Sequence, residues 1–148
     1  MAYTHLLVPS DGSELSRKAL EEAVKLARCS GARITVLHAQ PGVPLPVVGM
    51  GDMLDASTIE ALIAATRLDS DRLLEAAART AADAEVTASC ERVVSDLPHK
   101  VILEAAERLG CDLIVMGSHG RRGLQGLLLG SQTQRVLLNA PCPVLVVR

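Results

Sequence analysis

The sequence contains no Trp and no Phe, and Tyr3 is its one Tyr. The core of the 148-residue chain must therefore be built from aliphatic side chains, which are abundant because 49% of the residues are hydrophobic. A planar ring in a bound ligand would lack an aromatic stacking partner unless Tyr3 reached it. We therefore expect an aliphatic pocket whose specificity comes from backbone groups. We do not expect nucleic acid as a ligand, since single strands are bound on aromatic platforms.

Acidic residues are absent from Leu113 onward, whereas the same stretch holds four positive charges: Arg121, Arg122, Arg135 and Arg148. Because the whole chain has a formal charge of −2, removing these four charges leaves −6 on residues 1–112. Positive charge is thus concentrated in the last part of the chain, where a glycine-rich stretch also lies. This distribution suits a small polyanion and offers no long basic stripe to a nucleic acid.

Disulfide-type and metal-type spacings are absent from the four cysteines, Cys29, Cys90, Cys111 and Cys142. We expect reduced thiols, each packed as a small buried hydrophobe. His5, His38 and His99 show no ligand spacing either, so we expect no metal held by protein side chains alone. No basic region precedes an apolar stretch of signal length, and no apolar run is long enough to span a bilayer. These absences predict a cytoplasmic protein with no membrane contact.

Apolar runs alternate with helical periodicities along the whole chain. Strands are predicted at residues 5–8, 33–39, 86–94, 113–116 and 144–147. Helices are predicted between them. A capping box at Ser57 and a proline at position 98 indicate two helix starts, and Gly31 and Gly110 indicate two helix ends. This alternation predicts a single α/β domain over residues 1–148 with a parallel, doubly wound sheet.

The doubly wound order that we expect is 3-2-1-4-5. Such a sheet reverses its winding between the first and fourth strands, and ligands bind beyond the carboxyl ends of the strands at that point. The turn at Asp11 would then lie beside the loop that begins at Gly117. Prolines and glycines concentrate in residues 40–51, so regular structure is not expected there. The whole connection, residues 40–56, is either a lid over the site or a variable link.

The stretch of residues 112–131 carries the strongest functional signal. A buried strand runs into Gly117 and Gly120, and nine further residues separate Gly120 from Gly130 and Ser131. Glycines permit positive φ and a close approach of a ligand to the main chain, and free N–H groups at a helix start favour an anion. The pattern therefore predicts a phosphate site. The alternative is a glycine-rich loop followed by a helix with a capping box that Ser131 opens.

The chain resembles the universal stress protein family, in particular its nucleotide-binding branch. The resemblance spans nearly the whole chain and rests on the segments HLLVPSDGS (5–13), ITVLHA (34–39), DLIVMGSHG (112–120), LLGS (128–131) and PCPVLVV (141–147). The ATP motif of that family, Gly-x2-Gly-x9-Gly-Ser/Thr, is matched by Gly117, Gly120, Gly130 and Ser131. The resemblance implies a five-stranded Rossmann-like fold with helices on both faces, and a homodimer that pairs through residues 144–147.

The resemblance also implies a bound adenine nucleotide, ATP or else ADP or AMP, with Mg²⁺ held by the phosphates. Asp11 would meet the adenine and ribose, the backbone of Ala39 would contact the base, and Met116 would line the base pocket. The glycine motif would hold the phosphates. The complete set of implied binding residues is Pro9, Ser10, Asp11, Ala39, Met116, Gly117, His119, Gly120, Arg121, Gly130, Ser131 and Gln132.

One departure from the family pattern is Asp96, where relatives often have Gly before a Leu-Pro turn. We expect this residue to lie away from the cleft. Asp11 with Glu14 is either a helix-capping pair or a ligand contact, and both roles are compatible. His119 is either an exposed loop histidine or a phosphate contact, and one of the two adjacent arginines in the glycine loop is expected to contact the ligand.

We therefore expect an ATP-binding stress-response or regulatory protein whose nucleotide biases its conformation or its choice of partner. A slow ATPase or phosphotransferase is less favoured, because Gly130 stands where a P-loop has Lys and no acidic residue follows the loop. For that alternative, His119 is the first side chain to test. A third hypothesis is a dimeric interaction module that binds no nucleotide, joined through the apolar edge strand 144–147.

Overall fold

The computed structural model describes residues 2–43, 55–121, 123, 126 and 128–148. Strands and helices alternate through these ranges, as the hydrophobic pattern predicts. The elements are β1 (His5–Pro9), α1 (Glu14–Ser30), β2 (Arg33–Gln40), α2 (Ala56–Asp83), β3 (Ala88–Val94), α3 (Pro98–Leu109), β4 (Leu113–Gly117), α4 (Ser131–Asn139) and β5 (Val144–Val147). None of these helices combines the length and the apolar character that crossing a bilayer requires.

The five strands form one parallel sheet of order β3-β2-β1-β4-β5, which confirms the predicted topology. Strand side chains alternate between two aliphatic cores. Leu6 and Val8 pack with α1 and α2 on one face, whereas Leu7 packs with α3 and α4 on the other. The central strands are therefore covered on both faces, which explains why β4 is a continuous apolar run rather than an alternating one.

Helix ends follow local capping chemistry. The structure corrects two expected boundaries, the start of α2 and the start of β3. Gly31 and Gly110 end α1 and α3 in the left-handed conformation, as predicted. The N-cap of α2 is Asp55 rather than Ser57, because the Asp55 carboxylate accepts the Thr58 N–H at 2.7 Å. Strand β3 begins two residues later than predicted, since the N–H of Val86 turns back to a carbonyl at the end of α2.

The expectation that every cysteine is buried is wrong for Cys29 and Cys90. Cys29 lies on the solvent side of α1, and Cys90 lies on β3 at the edge of the sheet, so both are exposed. Cys111 is buried and Cys142 is half-buried, and all four thiols are free. Burial raises the pKa of the Cys111 thiol to about 11, which keeps it protonated and unreactive at neutral pH.

Candidate functional site

A cleft of about 610 Å³ opens where β1 and β4 lie side by side, at the carboxyl ends of the strands. It is formed by the segments that follow the first four strands and by the start of α4. Every predicted site residue lines it: Pro9, Ser10, Asp11, Ala39, Met116, Gly117, His119, Gly120, Arg121, Gly130, Ser131 and Gln132. Segments distant in sequence thus share one cleft, as the reversal of winding in this strand order predicts.

Asp11 joins the turn after β1 to the glycine loop after β4. One carboxylate oxygen accepts the N–H of Ser13 at 2.9 Å, and the other accepts the N–H of Arg121 at 2.7 Å. Burial raises the pKa of the Asp11 carboxyl, but the hydrogen bonds from Ser13 and Arg121 outweigh it and hold the pKa below its usual value. A capping pair of Asp11 and Glu14 is not formed, because Ser13 is the N-cap of α1.

The glycine motif serves close approach rather than positive φ. Gly117, Gly120 and Gly130 are absent from the positive-φ glycines among the described residues, so the positive φ that a glycine permits is not used at these positions. A Cβ on Gly120 would stand 2.5 Å from a carboxylate oxygen of Asp11, and a Cβ on Gly117 would stand 2.9 Å from the Cβ of Leu15. The missing side chains therefore let the loop and the first helix turn meet at the cleft.

The first turn of α4 presents backbone donors to the cleft. Gly130 is the N-cap and provides no side-chain cap, so the alternative interpretation, a capping box that begins at Ser131, is wrong. The first helical hydrogen bond runs from Gln134 to Gly130. Within the described residues, the N–H groups of Ser131, Gln132 and Thr133 therefore have no backbone acceptor. These N–H groups and the positive end of the helix dipole favour an anion.

The other end of the cleft is aliphatic. Its walls include the side chains of Leu37, Ile102 and Met116, together with Ala39. Tyr3 precedes β1, at the end of the sheet opposite to the cleft, and does not line it. No aromatic side chain of Phe, Tyr or Trp type therefore stands among the described lining residues, which agrees with the pocket expected from composition.

The buried ring of His38 holds the turn that follows β1, which lines the cleft. Its Nδ1 lies 2.8 Å from the carbonyl oxygen of Ser10. Because a carbonyl only accepts, Nδ1 must carry the proton and donate. The ring is one of the lining groups that the sequence analysis missed, since a histidine inside a strand gives no local sign of its partner.

Asp96 lies in the cleft wall, so the expectation that it stands apart from the site is wrong. Its carboxylate accepts the N–H of Gly42 at 3.0 Å and thereby joins the segment after β3 to the segment after β2. The physical reason is the sheet itself, because parallel neighbours β2 and β3 deliver their carboxyl ends to the same edge. That rule, applied to the third strand as well, would have found the residue.

His119 is half-buried, so its interpretation as an exposed loop histidine is wrong. A Cβ on Gly123 would stand 2.7 Å from the Cβ of His119, which shows how closely the loop folds over this residue. Its Nδ1 lies 3.1 Å from the hydroxyl oxygen of Ser118, while Nε2 is buried and has no partner among the described residues. The ring therefore keeps one unused polar atom beside the cleft.

The predictions for the two arginines and for the 40–56 connection fall only partly within the described residues. The guanidinium of Arg121 lies over Gly12, where a Cβ would approach it to 2.5 Å. Arg122 and the central part of the 40–56 connection, residues 44–54, lie outside the described residues. Within the described ranges, no group of three or more His, Cys, Asp or Glu side chains is arranged to hold a metal ion.

Comparison with known proteins gives one consistent relationship. The sequence profile of the universal stress protein family matches residues 2–148. A universal stress protein of Methanocaldococcus jannaschii is 34% identical to this chain over 149 residues, which cover 99% of the chain and 82% of that relative. A solved structure of another protein from the same organism superposes with a TM-score of 0.81 at 27% identity, covering 99% of this chain and 96% of that one. The universal stress protein of Archaeoglobus fulgidus, solved in complex with dAMP, shares the fold with a TM-score of 0.67 at 22% identity over 100% of both chains.

Proposed function

Because the chain belongs to the universal stress protein family, we propose that its cleft binds an adenine nucleotide, with ATP as the first candidate and ADP or AMP as alternatives. The observation that carries this proposal is the arrangement of the cleft. Backbone donors that have no backbone acceptor among the described residues line one end. Aliphatic side chains line the other end, and Asp11 stands between the two approaching loops. The bound nucleotide would bias the conformation of the protein or its choice of partner.

The phosphate end of the cleft is supported by charge as well as by geometry. The N–H groups at the start of α4, which have no backbone acceptor within the described ranges, favour an anion, and the chain has no acidic residue from Leu113 onward to oppose it. Arg121 adds a positive side chain to the lining. Mg²⁺ would be held by the phosphates, which can supply most of its oxygen ligands. The described residues form no cluster of side chains that would hold the ion instead.

The base end is supported by shape and polarity. A volume of about 610 Å³ lies within the range of pockets that bury small organic ligands. A purine between Met116 and the end of β2 would be held by aliphatic contact, and the peptide groups of Ala39, which lines the cleft, would read its edge. Asp11 is the lining carboxylate nearest the glycine loop and would accept a hydrogen bond from a ribose hydroxyl. The dAMP complex of the A. fulgidus protein is compatible with this class of ligand.

Regulation is favoured over catalysis because the cleft lacks the usual machinery of phosphoryl transfer. The residue directly before Ser131 is Gly130 and not Lys, so the side-chain contact that a P-loop lysine makes to the outer phosphates is missing. The segment after β4 also contains no carboxylate to orient a water molecule. A slow ATPase would use His119, and the observation in favour of that second candidate is that Nε2 of this ring has no partner in the part of the chain that the structure describes.

Isothermal titration of nucleotide-free protein with ATP tests the proposal. We expect one nucleotide bound per chain, and we expect adenosine to bind more weakly because it leaves the donors of α4 unused. Mass spectrometry of small molecules released by denaturing the freshly purified protein would identify the resident nucleotide. An absence of heat with ATP, ADP and AMP alike would overturn the proposal.

We also propose that the chain forms a homodimer through β5, an edge strand of the sheet. Ile114 and Ser118 donate to the carbonyls of Pro143 and Val147, so these two carbonyls face β4. Alternation along the strand then directs the N–H and C=O of Val146 away from the sheet. Pairing with the same edge of a second copy would satisfy them.

Val146→Pro is therefore expected to convert a dimer into a monomer. Proline removes one outward N–H and leaves the ladder with β4 intact, so circular dichroism should be unchanged. Val146→Thr keeps the N–H and should remain dimeric. Light scattering at micromolar concentration provides the measurement, and a monomer mass for the unmodified chain would contradict the proposal.

A further inference from the structure

His99 and Gln132 form a clamp between the first turns of α3 and α4. The backbone N–H of His99 donates to the side-chain oxygen Oε1 of Gln132 at 3.0 Å, and Nδ1 of the same histidine lies 2.9 Å from that oxygen. Gln132 lines the cleft, whereas His99 does not. The histidine therefore reaches the cleft only through its glutamine partner.

These two contacts fix which end of the Gln132 amide faces which way. A backbone N–H only donates, so the atom that it meets must be the amide oxygen and not the amide nitrogen. Nδ1 of His99 must likewise carry a proton in order to share this acceptor. The amino group Nε2 is then directed away from the clamp, and no acceptor in the described part of the chain takes it up.

We propose that His99 is a positioning residue that holds the Gln132 amide so that its amino group donates to a phosphate oxygen of the bound nucleotide. The inference rests on the proposed function and deepens it. Gln132 directly follows Gly130 and Ser131, whose backbone borders the phosphate end of the cleft. A clamped amide loses little rotamer freedom on binding, so its hydrogen bond to a charged oxygen is made at low entropic cost.

Gln132→Glu separates the clamp from the phosphate contact. The second carboxylate oxygen stands where the amino group stood, while the first still accepts both N–H groups of His99. The fold and the clamp are thus kept, and the cleft-facing donor becomes a negative acceptor. We expect ATP affinity to fall by about tenfold or more, with unchanged affinity for adenosine, which carries no phosphate. Gln132→Met, which removes the donor without adding charge, should show a smaller loss in the same direction.

A His99→Leu and His99→Asn pair tests the positioning role. Leu removes the side-chain donor, whereas Asn places an amide nitrogen the same number of bonds from Cα as Nδ1. We expect ATP affinity to fall about threefold in His99→Leu and to be restored in His99→Asn, with thermal unfolding recorded alongside each titration.

The outcomes separate this inference from the function on which it rests. Absence of ATP binding to the unmodified chain would overturn both. ATP binding that is equal in the unmodified chain and Gln132→Glu would overturn the inference alone, as would an equal loss of ATP and adenosine affinity. A loss in His99→Leu that His99→Asn does not restore would show that the ring acts by packing rather than by donating.

Discussion

Replacing Gly130 with Asp should lower ATP affinity by about 100-fold or more at moderate salt. The backbone of Gly130 has φ −70° and ψ 156°, which any residue adopts, and Asp is a preferred N-cap, so α4 should form normally. Its carboxylate would accept the N–H groups that the proposed function assigns to the phosphates, and it would also repel those phosphates. Isothermal titration with ATP measures the loss.

Gly130→Asn is the matched control for charge. Asn has the same shape as Asp and is equally suited to an N-cap, but it carries no charge. A Cβ at this position meets the Cα of His119 and the carbonyl of Ser118 at 3.3 Å, so both variants must displace the loop by a similar small amount. We expect Asn to retain most of the affinity that Asp loses. Equal losses would assign the effect to crowding, and undiminished binding by Gly130→Asp would exclude phosphates from this helix end.

Asp11→Asn should weaken both the folded state and ATP binding. The carboxylate accepts N–H groups with both oxygens, whereas an amide offers one oxygen and would turn its own N–H groups toward the remaining donor. The loss of one charge-assisted hydrogen bond is expected to lower the free energy of unfolding by about 1–3 kcal/mol and ATP affinity by about tenfold. Urea unfolding and titration with ATP measure the two effects.

The pH dependence of the same variant gives an independent check. The folded-state pKa of Asp11 is depressed, so its stabilisation is fully present above the unfolded pKa of about 3.9 and is lost as the pH falls through the lower folded value. The difference in unfolding free energy between the unmodified chain and Asp11→Asn should therefore be constant from pH 5 to 7 and shrink below about pH 4.

Asp55→Asn is the control for the loss of an acidic charge at a helix start away from the cleft. Asp55 accepts from Thr58 and from the hydroxyl of Ser57 at the start of α2, and it is not among the residues that line the cleft. We expect a modest loss of stability with unchanged ATP affinity. If Asp55→Asn weakened ATP binding as much as Asp11→Asn did, the role given to the Asp11 link would be wrong.

The sequence allowed the sheet order and the neighbouring loops to be predicted because both follow from long-range rules. Alternating strands and helices restrict the connections, and the reversal of winding then places Asp11 beside Gly117. The resemblance supplied the individual site residues. Features that depend on one side chain meeting a distant partner were missed, such as the Asp96 contact with Gly42 and the His99 contact with Gln132.

Local signals failed where two explanations fit the same residue. A glycine marks the absence of Cβ, yet only the fold shows that the absence at Gly120 makes room for Asp11 rather than for an unusual φ. Similarly, Ser57 and Ser131 both begin plausible capping boxes, but Asp55 and Gly130 hold the cap positions instead. Capping boxes therefore gave the helix starts to within two residues without giving the residue that caps.

The position of β4 has a consequence for synthesis on the ribosome. Strands β1, β2 and β3 emerge first and can pair in order, but the edge of β1 that β4 will occupy stays open until residue 117 has left the exit tunnel. The backbone N–H and C=O groups of β1 on that edge are unpaired for most of translation. A nascent chain stalled before β4 would thus present an unpaired strand edge to chaperones. Its cleft would be incomplete, so it would retain no small molecule until the final quarter of the polypeptide is synthesised.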